Sequence, residues 1–380
     1  MYRIALAAAL IFSSAAVAQD MAPDTDDASP FPDELILLPE DVQQAAQSGL
    51  EAEAAEVPSG MNAGEEAWYR AQVAYVGGDF FLARRFAENA AVSGIVDAAT
   101  LSGIMARDGQ GGARDVAEAA RWFRRGADAE DPVALYQLGL LARLGDESLG
   151  LGSSRSWFER AARAGHIEAM VAYALALRSS PIPQDAIAAR EWAERAAQQD
   201  SAEGMYQLAQ LLDEGLGGDR DADAARIWYE RAAEANLAEG AFQAGMMWAD
   251  GEGGPQDDVE ARRWLRIAAE SNYAPAQGQY GLMLYQGRGG EGDAVEAAHW
   301  FGQGARRGDA ESQYLYAFVL AQGEGVTRNL EDAYGWVLLA ANDALGAPVH
   351  NRDRDRLQAA LERALPLDRQ AEIRDRLGLD

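Results

Sequence analysis

A tryptophan returns along this chain at Trp122, Trp157, Trp192, Trp228, Trp264, Trp300 and Trp336, at steps of 35 or 36 residues, and one further step back lands on Phe86. A bulky aromatic at a fixed period of this size means an array of like supersecondary units. Its neighbours recur with it. Seven positions earlier stands Asp79, Asp115, Asp185, Asp221, Asp257, Asp293 or Asn329, with Gly150 the exception. Three positions earlier stands an alanine, with Ser154 the exception, and four and five positions later come small pairs such as Ala232-Ala233 and Ala268-Ala269. Offsets of −3, 0, +4 and +5 share one helix face. The Asp or Asn ahead of them is an N-cap, its side chain accepting from a free first-turn amide. Each tryptophan therefore marks the second helix of a unit.

The first helix repeats as well. Its middle holds a small residue at Gly103, Gly139, Ala174, Ala209, Gly245, Gly281 and Ala317. A missing side chain there lets a neighbouring helix approach, and the large aromatic of the partner helix is expected to fill the space. Between the helices lie glycine loops, among them Gly109-Gln-Gly-Gly112, Gly215-Leu-Gly-Gly218, Gly251-Glu-Gly-Gly254, Gly287-Arg-Gly-Gly290 and Gly323-Glu-Gly325. They end the first helix and supply the positive-φ positions of a tight reversal. The units around Trp157 and Trp192 have different loops, Gly145-Asp-Glu-Ser and Ser179-Ser-Pro-Ile-Pro183.

The run Gly245-x-x-Trp248-x-x-Gly251-x-Gly253, continued by Asp257, Ala261, Trp264 and Ala268-Ala269, resembles the Sel-one-like repeat, a relative of the tetratricopeptide repeat. Residues 312–341 resemble it equally, and the resemblance covers about residues 64–345. It implies an all-α fold, an α-α superhelix: a right-handed solenoid of about eight helix pairs. The pattern gives about 16 helices in those pairs. The tail breaks the period. Leu357, Leu361 and Leu365, then Ile373 and Leu377, are helically spaced about Pro366, so residues 346–380 are expected to form capping helices.

Ahead of the array, Met1–Ala18 has the form of an export signal, with Arg3, the apolar run Ile4–Phe12 and the small-x-small site Ala16-Val-Ala18. Residues 19–60 form an acidic, proline-bearing tether, within which Phe31–Pro39 is an apolar stretch that either packs on the first repeat or docks elsewhere. The repeat array is assigned to residues 61–345. The expected location is periplasmic or secreted, with no stable membrane insertion once the signal is removed.

Composition narrows the chemistry. With no cysteine, disulfides and thiolate metal sites are impossible. With no lysine among the 33 basic residues, Walker-type loops and Schiff-base chemistry are impossible too. A net charge of −28 disfavours nucleic acid and anionic lipid over most faces and is compatible with a basic partner. His166, His299 and His350 lack metal-ligand spacing and are expected to be solvent-facing or locally bonded. Gly287-Arg-Gly-Gly-Glu-Gly292 copies a dinucleotide fingerprint in letters but follows a helix. Asp219-x-Asp221-x-Asp223 copies a calcium loop but has Ala224 where that loop needs glycine, and Asp221 is the expected cap. No catalytic, cofactor or metal residue is assigned, and the chain is not expected to be an enzyme.

What remains is surface. In relatives of this kind the first helices line a concave face. Two columns on them vary from unit to unit: Tyr136, Val171, Tyr206, Phe242, Gly278 and Tyr314, and four places on Leu140, Leu175, Gln210, Met246, Leu282 and Phe318. The same pattern also fits side chains that pack between units. The candidate partner-binding groove is Tyr136, Tyr206, Phe242, Met246, Tyr314 and Phe318, and the expected ligand is a protein or peptide. By resemblance, exported proteins of this type act as scaffolds or regulators, in exopolysaccharide export or in restraining sensor kinases. A glycan-binding module is the alternative. A third reading is a hydrolase like the β-lactamase-like branch, but that branch ties its units with disulfides, which this chain cannot form.

Overall fold

Caps and loops decide where each helix begins and ends. Asp115, Asp221, Asp257, Asp293 and Asn329 each accept from amides two or three residues on, at 2.8–3.2 Å, and so open the second helix of their repeat. Asp185 departs from this expectation. Its helix starts earlier, with Ile182 at the cap and Pro183 at the first position, so Asp185 lies inside the first turn. Five first helices end at a left-handed glycine, for example Gly109 and Gly251 with φ of 75° and 70°.

The computed structural model describes Val42, residues 57–341 and residues 352–379. The expected export signal at residues 1–18, the Phe31–Pro39 stretch, every other residue of 19–56 except Val42, and His350 lie outside the described residues. Among the described residues every regular element is a helix, and the chain divides into two compact units, 1–164 and 165–380.

The first unit holds three antiparallel pairs: α1 (Ala63–Val76) with α2 (Phe80–Val92), α3 (Val96–Asp108) with α4 (Val116–Asp128), and α5 (Pro132–Arg143) with α6 (Ser154–Arg163). The variant loop of the third pair folds as a short 3-10 turn, Glu147–Leu149. Val42, the one described residue of the acidic segment before Val57, is helical and 1% exposed, packed with Tyr69, Tyr75, Leu101 and Met105.

The second unit holds five pairs: α7 (Ile167–Arg178) with α8 (Pro183–Ala197), α9 (Ala202–Glu214) with α10 (Ala222–Glu234), α11 (Ala238–Asp250) with α12 (Asp258–Glu270), α13 (Ala274–Gln286) with α14 (Ala294–Arg306), and α15 (Ala310–Gln322) with α16 (Leu330–Leu339). Two further helices, α17 (Arg352–Ala364) and α18 (Leu367–Leu377), pack on α16, where Leu361 and Ile373 join Tyr334, Val337 and Leu338 in one core.

The space left by the small residue of each first helix is filled, but not by the tryptophan. A β-carbon on Gly103 would stand 2.5 Å from the Phe123 ring, on Gly139 2.4 Å from Phe158, and on Gly281 2.9 Å from Phe301. Each filler is the residue after the tryptophan. That column, Phe123, Phe158, Ala193, Tyr229, Leu265, Phe301 and Val337, is buried throughout. The tryptophans are half-buried except Trp264, which is 3% exposed. The indoles therefore sit one step outside the expected core position. Arginines cover several of them: Arg195 lies 4.4 Å over Trp192, Arg231 4.5 Å over Trp228, and Arg263 4.0 Å over Trp264.

A second device ties one repeat to the next. Arg84 in the first unit, and Arg190 and Arg262 in the second, each donate from Nη1 to a carbonyl of the following repeat's glycine loop, Ala113, Asp219 and Glu291, at 3.0–3.4 Å. The glycine just before that carbonyl admits the guanidinium, since a β-carbon on Gly218 would stand 2.5 Å from Arg190 Nη1. Where the arginine is replaced by Ala298, the matching loop position is Val326, not glycine.

Candidate partner-binding face

Helical geometry puts residues i and i+3 side by side. In the second unit the first helices place a carboxylate and an aromatic ring at that spacing three times, as Glu203 with Tyr206, Glu239 with Phe242, and Glu311 with Tyr314. α13 breaks the series with Pro275 and Gly278. Charge on this face is one-sided. The helices α7, α9, α11, α13 and α15 carry one arginine, Arg178, whose Nη2 lies 2.6 Å from Glu214, against acids that include Glu168, Glu203, Asp213, Glu239 and Glu311. The arginines of this unit gather on the second helices instead. Arg262, Arg263 and Arg266, with Tyr280 and Glu296, line an open cleft of about 510 Å³, where Arg263 is paired to Glu260 and Arg266 to Glu270.

The groove residues read from sequence separate into distinct settings. In the second unit Phe242, Met246, Tyr314 and Phe318 are half-buried. Phe242 meets Tyr273 with ring centroids 5.3 Å apart, and Phe318 stands edge-on to Tyr285 at 6.4 Å. Tyr206 differs, being 7% exposed and packed on Tyr229 at 5.5 Å, so its ring serves as wall more than as contact surface. Tyr136, in the first unit, is half-buried with its ring 5.9 Å from Phe158, and no carboxylate precedes it at i−3, where Val133 stands.

Electrostatics follow the same layout. Burial raises the Tyr206 phenol to about 12, helped by Tyr273, Glu239 and Glu203, while Gln243 hydrogen-bonds it and works the other way. Burial also raises the Tyr273 phenol, with Glu239 and Asp309 adding to the effect, and it raises Tyr314, next to Asp353 and Glu311. The neighbouring carboxylates thus add to burial at all three phenols. Tyr273 was absent from the groove read from sequence. The available signal was its position, since it occupies the cap of α13 where other first helices have Asp131, His166, Ser201 or Asp309.

The motifs that imitate chemical sites have local roles. Asp221 caps α10 by accepting from Ala224 at 2.9 Å. His166 caps α7, its Nδ1 accepting from Ala169 at 3.3 Å, and His299 is exposed beside Trp300. Gly287 ends α13, so the Gly287–Gly292 run follows a helix as read. Among the described residues no group of three His, Asp or Glu side chains is placed to hold a metal ion, and no helix is long and apolar enough to cross a membrane.

Comparison with known proteins matches this layout. Seven consecutive stretches, residues 96–131, 132–166, 167–201, 202–237, 238–273, 274–309 and 310–344, match the model of the Sel1 repeat. The pair α1–α2, with Phe86 in place of the tryptophan, precedes the matched stretches. Among solved structures, a protective antigen of uropathogenic Escherichia coli strains, described as displaying an SLR fold, is similar at 24% identity and a TM-score of 0.69, over 87% of this chain and 74% of that one. A Sel1 repeat protein from Oxalobacter formigenes is similar at 23% identity and a TM-score of 0.62, over 90% of this chain and 98% of that one. At these identities the likeness shows the fold. No curated protein matches the chain.

Proposed function

The chain belongs to the Sel1 repeat family, and on that premise we propose that it is an exported, non-catalytic scaffold or regulator that binds a basic segment of a partner protein in the periplasm. Proteins built from this repeat generally serve as interaction scaffolds. The observation that carries the reading is the charge segregation in the second unit. Its first helices display carboxylates beside half-buried rings, and their single arginine is already tied to Glu214. Rings that stay rigid lose little entropy on binding and serve as anchors, while a one-signed field steers an oppositely charged partner and rejects like charge. The apolar run Ile4–Phe12 and the small-residue site at Ala16–Ala18 support export.

The test is crosslinking of the full chain in intact cells, read by mass spectrometry, for the native sequence and for the triple substitution Glu203→Gln, Glu239→Gln, Glu311→Gln. A stoichiometric protein partner that is lost in the triple variant is the expected result. A partner retained unchanged, or a signal only on a glycan array, would sink the proposal.

A further inference from the structure

The three carboxylate–ring pairs of the second unit are not equivalent. Glu203 accepts from Gln207 at 2.8 Å, and Glu311 accepts from Gln279 at 3.1 Å. Glu239 makes no hydrogen bond or ion pair among the described residues, and it is partly buried. Around it stand three rings. Phe242 follows it by one helical turn, Tyr273 packs against Phe242 at 5.3 Å, and Tyr206 is close enough for Glu239 and Tyr273 both to act on its phenol. No arginine lies on α9, α11, α13 or α15, and the chain has no lysine, so these first helices offer Glu239 no cation of their own.

We propose that Glu239, Phe242 and Tyr273, with Tyr206 as the most buried wall, form a cage for the guanidinium of an arginine presented by the partner. The inference rests on the basic-partner reading above and adds the chemistry that is recognised. A carboxylate with no partner of its own, next to aromatic rings, answers both needs of a guanidinium: a forked acceptor for its N–H groups and a flat surface for its plane. Aromatic faces attract cations through their quadrupole, more strongly where water is excluded. A lysine ammonium would find the charge but cannot use the fork, and it surrenders a tighter hydration shell.

The test is calorimetric titration of the full chain with a short peptide of alternating serine and arginine. Parallel titrations use the lysine and citrulline versions of the peptide, and choline. The arginine peptide is expected to bind most tightly, the lysine peptide more weakly, and the citrulline peptide not at all. Glu239→Gln, which keeps the side-chain shape, is expected to weaken arginine binding about tenfold, and Phe242→Leu, which keeps an apolar side chain there, several-fold. Glu234→Gln removes an exposed carboxylate at the end of the second helix α10, away from the first-helix face, and binding should stay within about twofold of the native chain. Equal losses from Glu234→Gln and Glu239→Gln would mean a diffuse acidic field; the cage would then fail while the basic-partner reading survived. Choline binding as tightly as the arginine peptide, or no binding of the arginine peptide to the native chain, would overturn the guanidinium assignment. Melting curves of each variant separate loss of the cage from loss of fold.

Discussion

In the first unit, α1, α3 and α5 carry Arg70, Arg107 and Arg143 against Glu65, Glu66, Asp97 and Asp108, so the two signs nearly balance. In the second unit, five first helices carry Arg178 alone against a row of acids. Yet both units pack by the same plan. Gly103 receives Phe123 as Gly281 receives Phe301, and Arg107 and Arg178 each donate at 2.6 Å to a glutamine of the next first helix, Gln137 and Gln210, at different positions of the repeat. Beyond Arg178 that arginine column continues as Asp213, Ala249, Tyr285 and Ala321. The difference separates two kinds of position. Columns buried in every repeat answer to packing, which is the same problem in both units. The first-helix columns that stay half-buried or exposed are free to drift, and in the second unit they drift toward acid and aromatic.

The most severe way to break this comparison is to empty the shared packing site. Phe123 and Phe301 are 0% and 1% exposed and fill equivalent spaces. Phe123→Ala and Phe301→Ala are each expected to cost about 3–5 kcal/mol, because the lost ring leaves a cavity that glycine backbones cannot collapse into. Chemical denaturation followed by circular dichroism would measure both. Trp300→Ala, at a half-buried position, should cost distinctly less than Phe301→Ala. If the two costs came out reversed, the tryptophan column would be the core after all.

That ordering marks what the sequence made legible. The repeat, the caps at Asp115, Asp221, Asp257, Asp293 and Asn329, and the glycine loops could be read from spacing, because each depends on local backbone chemistry. The role of the tryptophans could not. Neighbouring helix positions differ by about 100° of rotation, and the most uniform residue drew attention away from Phe123, Tyr229 and Leu265, which vary in kind while sharing burial. Uniformity at tryptophan comes instead from a half-buried role that needs a large flat face for arginine and tyrosine, as where Tyr280 meets Trp300 at 5.5 Å. The make-up of the candidate face was partly legible. Phe242, Met246, Tyr314 and Phe318 came from the drifting columns. Tyr273 was hidden at a cap, and the openness of Glu239 depends on which neighbours reach it, which only coordinates reveal.

A smaller effect sharpens the electrostatic side. Burial raises the carboxyl of Asp97 in the first unit, with Asp131 adding to it, and that of Asp309 in the second. An acid raised on folding keeps its proton where the unfolded chain has already lost it. Its contribution is therefore fully present below the ordinary carboxylate value, is lost as pH climbs from there through the raised value, and leaves a cost at neutral pH. Asp309 accepts from the Ser312 amide at 2.7 Å, a role asparagine fills about as well. Asp309→Asn should thus raise stability at neutral pH and flatten the gain seen on mild acidification. Unfolding midpoints across that pH range would show it, and a variant less stable at neutral pH would mean the charge helps the helix more than burial opposes it.

The smallest effect compares one turn in each unit. The link from a second helix to the next first helix places a residue in the left-handed region, glycine at Gly94, Gly165 and Gly308, but Glu130 in the first unit at φ 57° and Asp200 in the second at φ 59°. A side chain there costs about 1–2 kcal/mol, less for aspartate, which tolerates this region better than glutamate does. Glycine removes that strain but loses more freedom on folding, which returns part of the gain. Glu130 also pairs with Arg160 at 2.7 Å, but the pair is exposed, and such pairs contribute roughly 0–1 kcal/mol. Glu130→Gly is therefore expected to stabilise by about 0.5 kcal/mol, and Asp200→Gly by less, near the limit of detection. Paired melting curves decide it. A drop for Glu130→Gly with no change for Asp200→Gly would show that the Arg160 contact outweighs the strain at this turn.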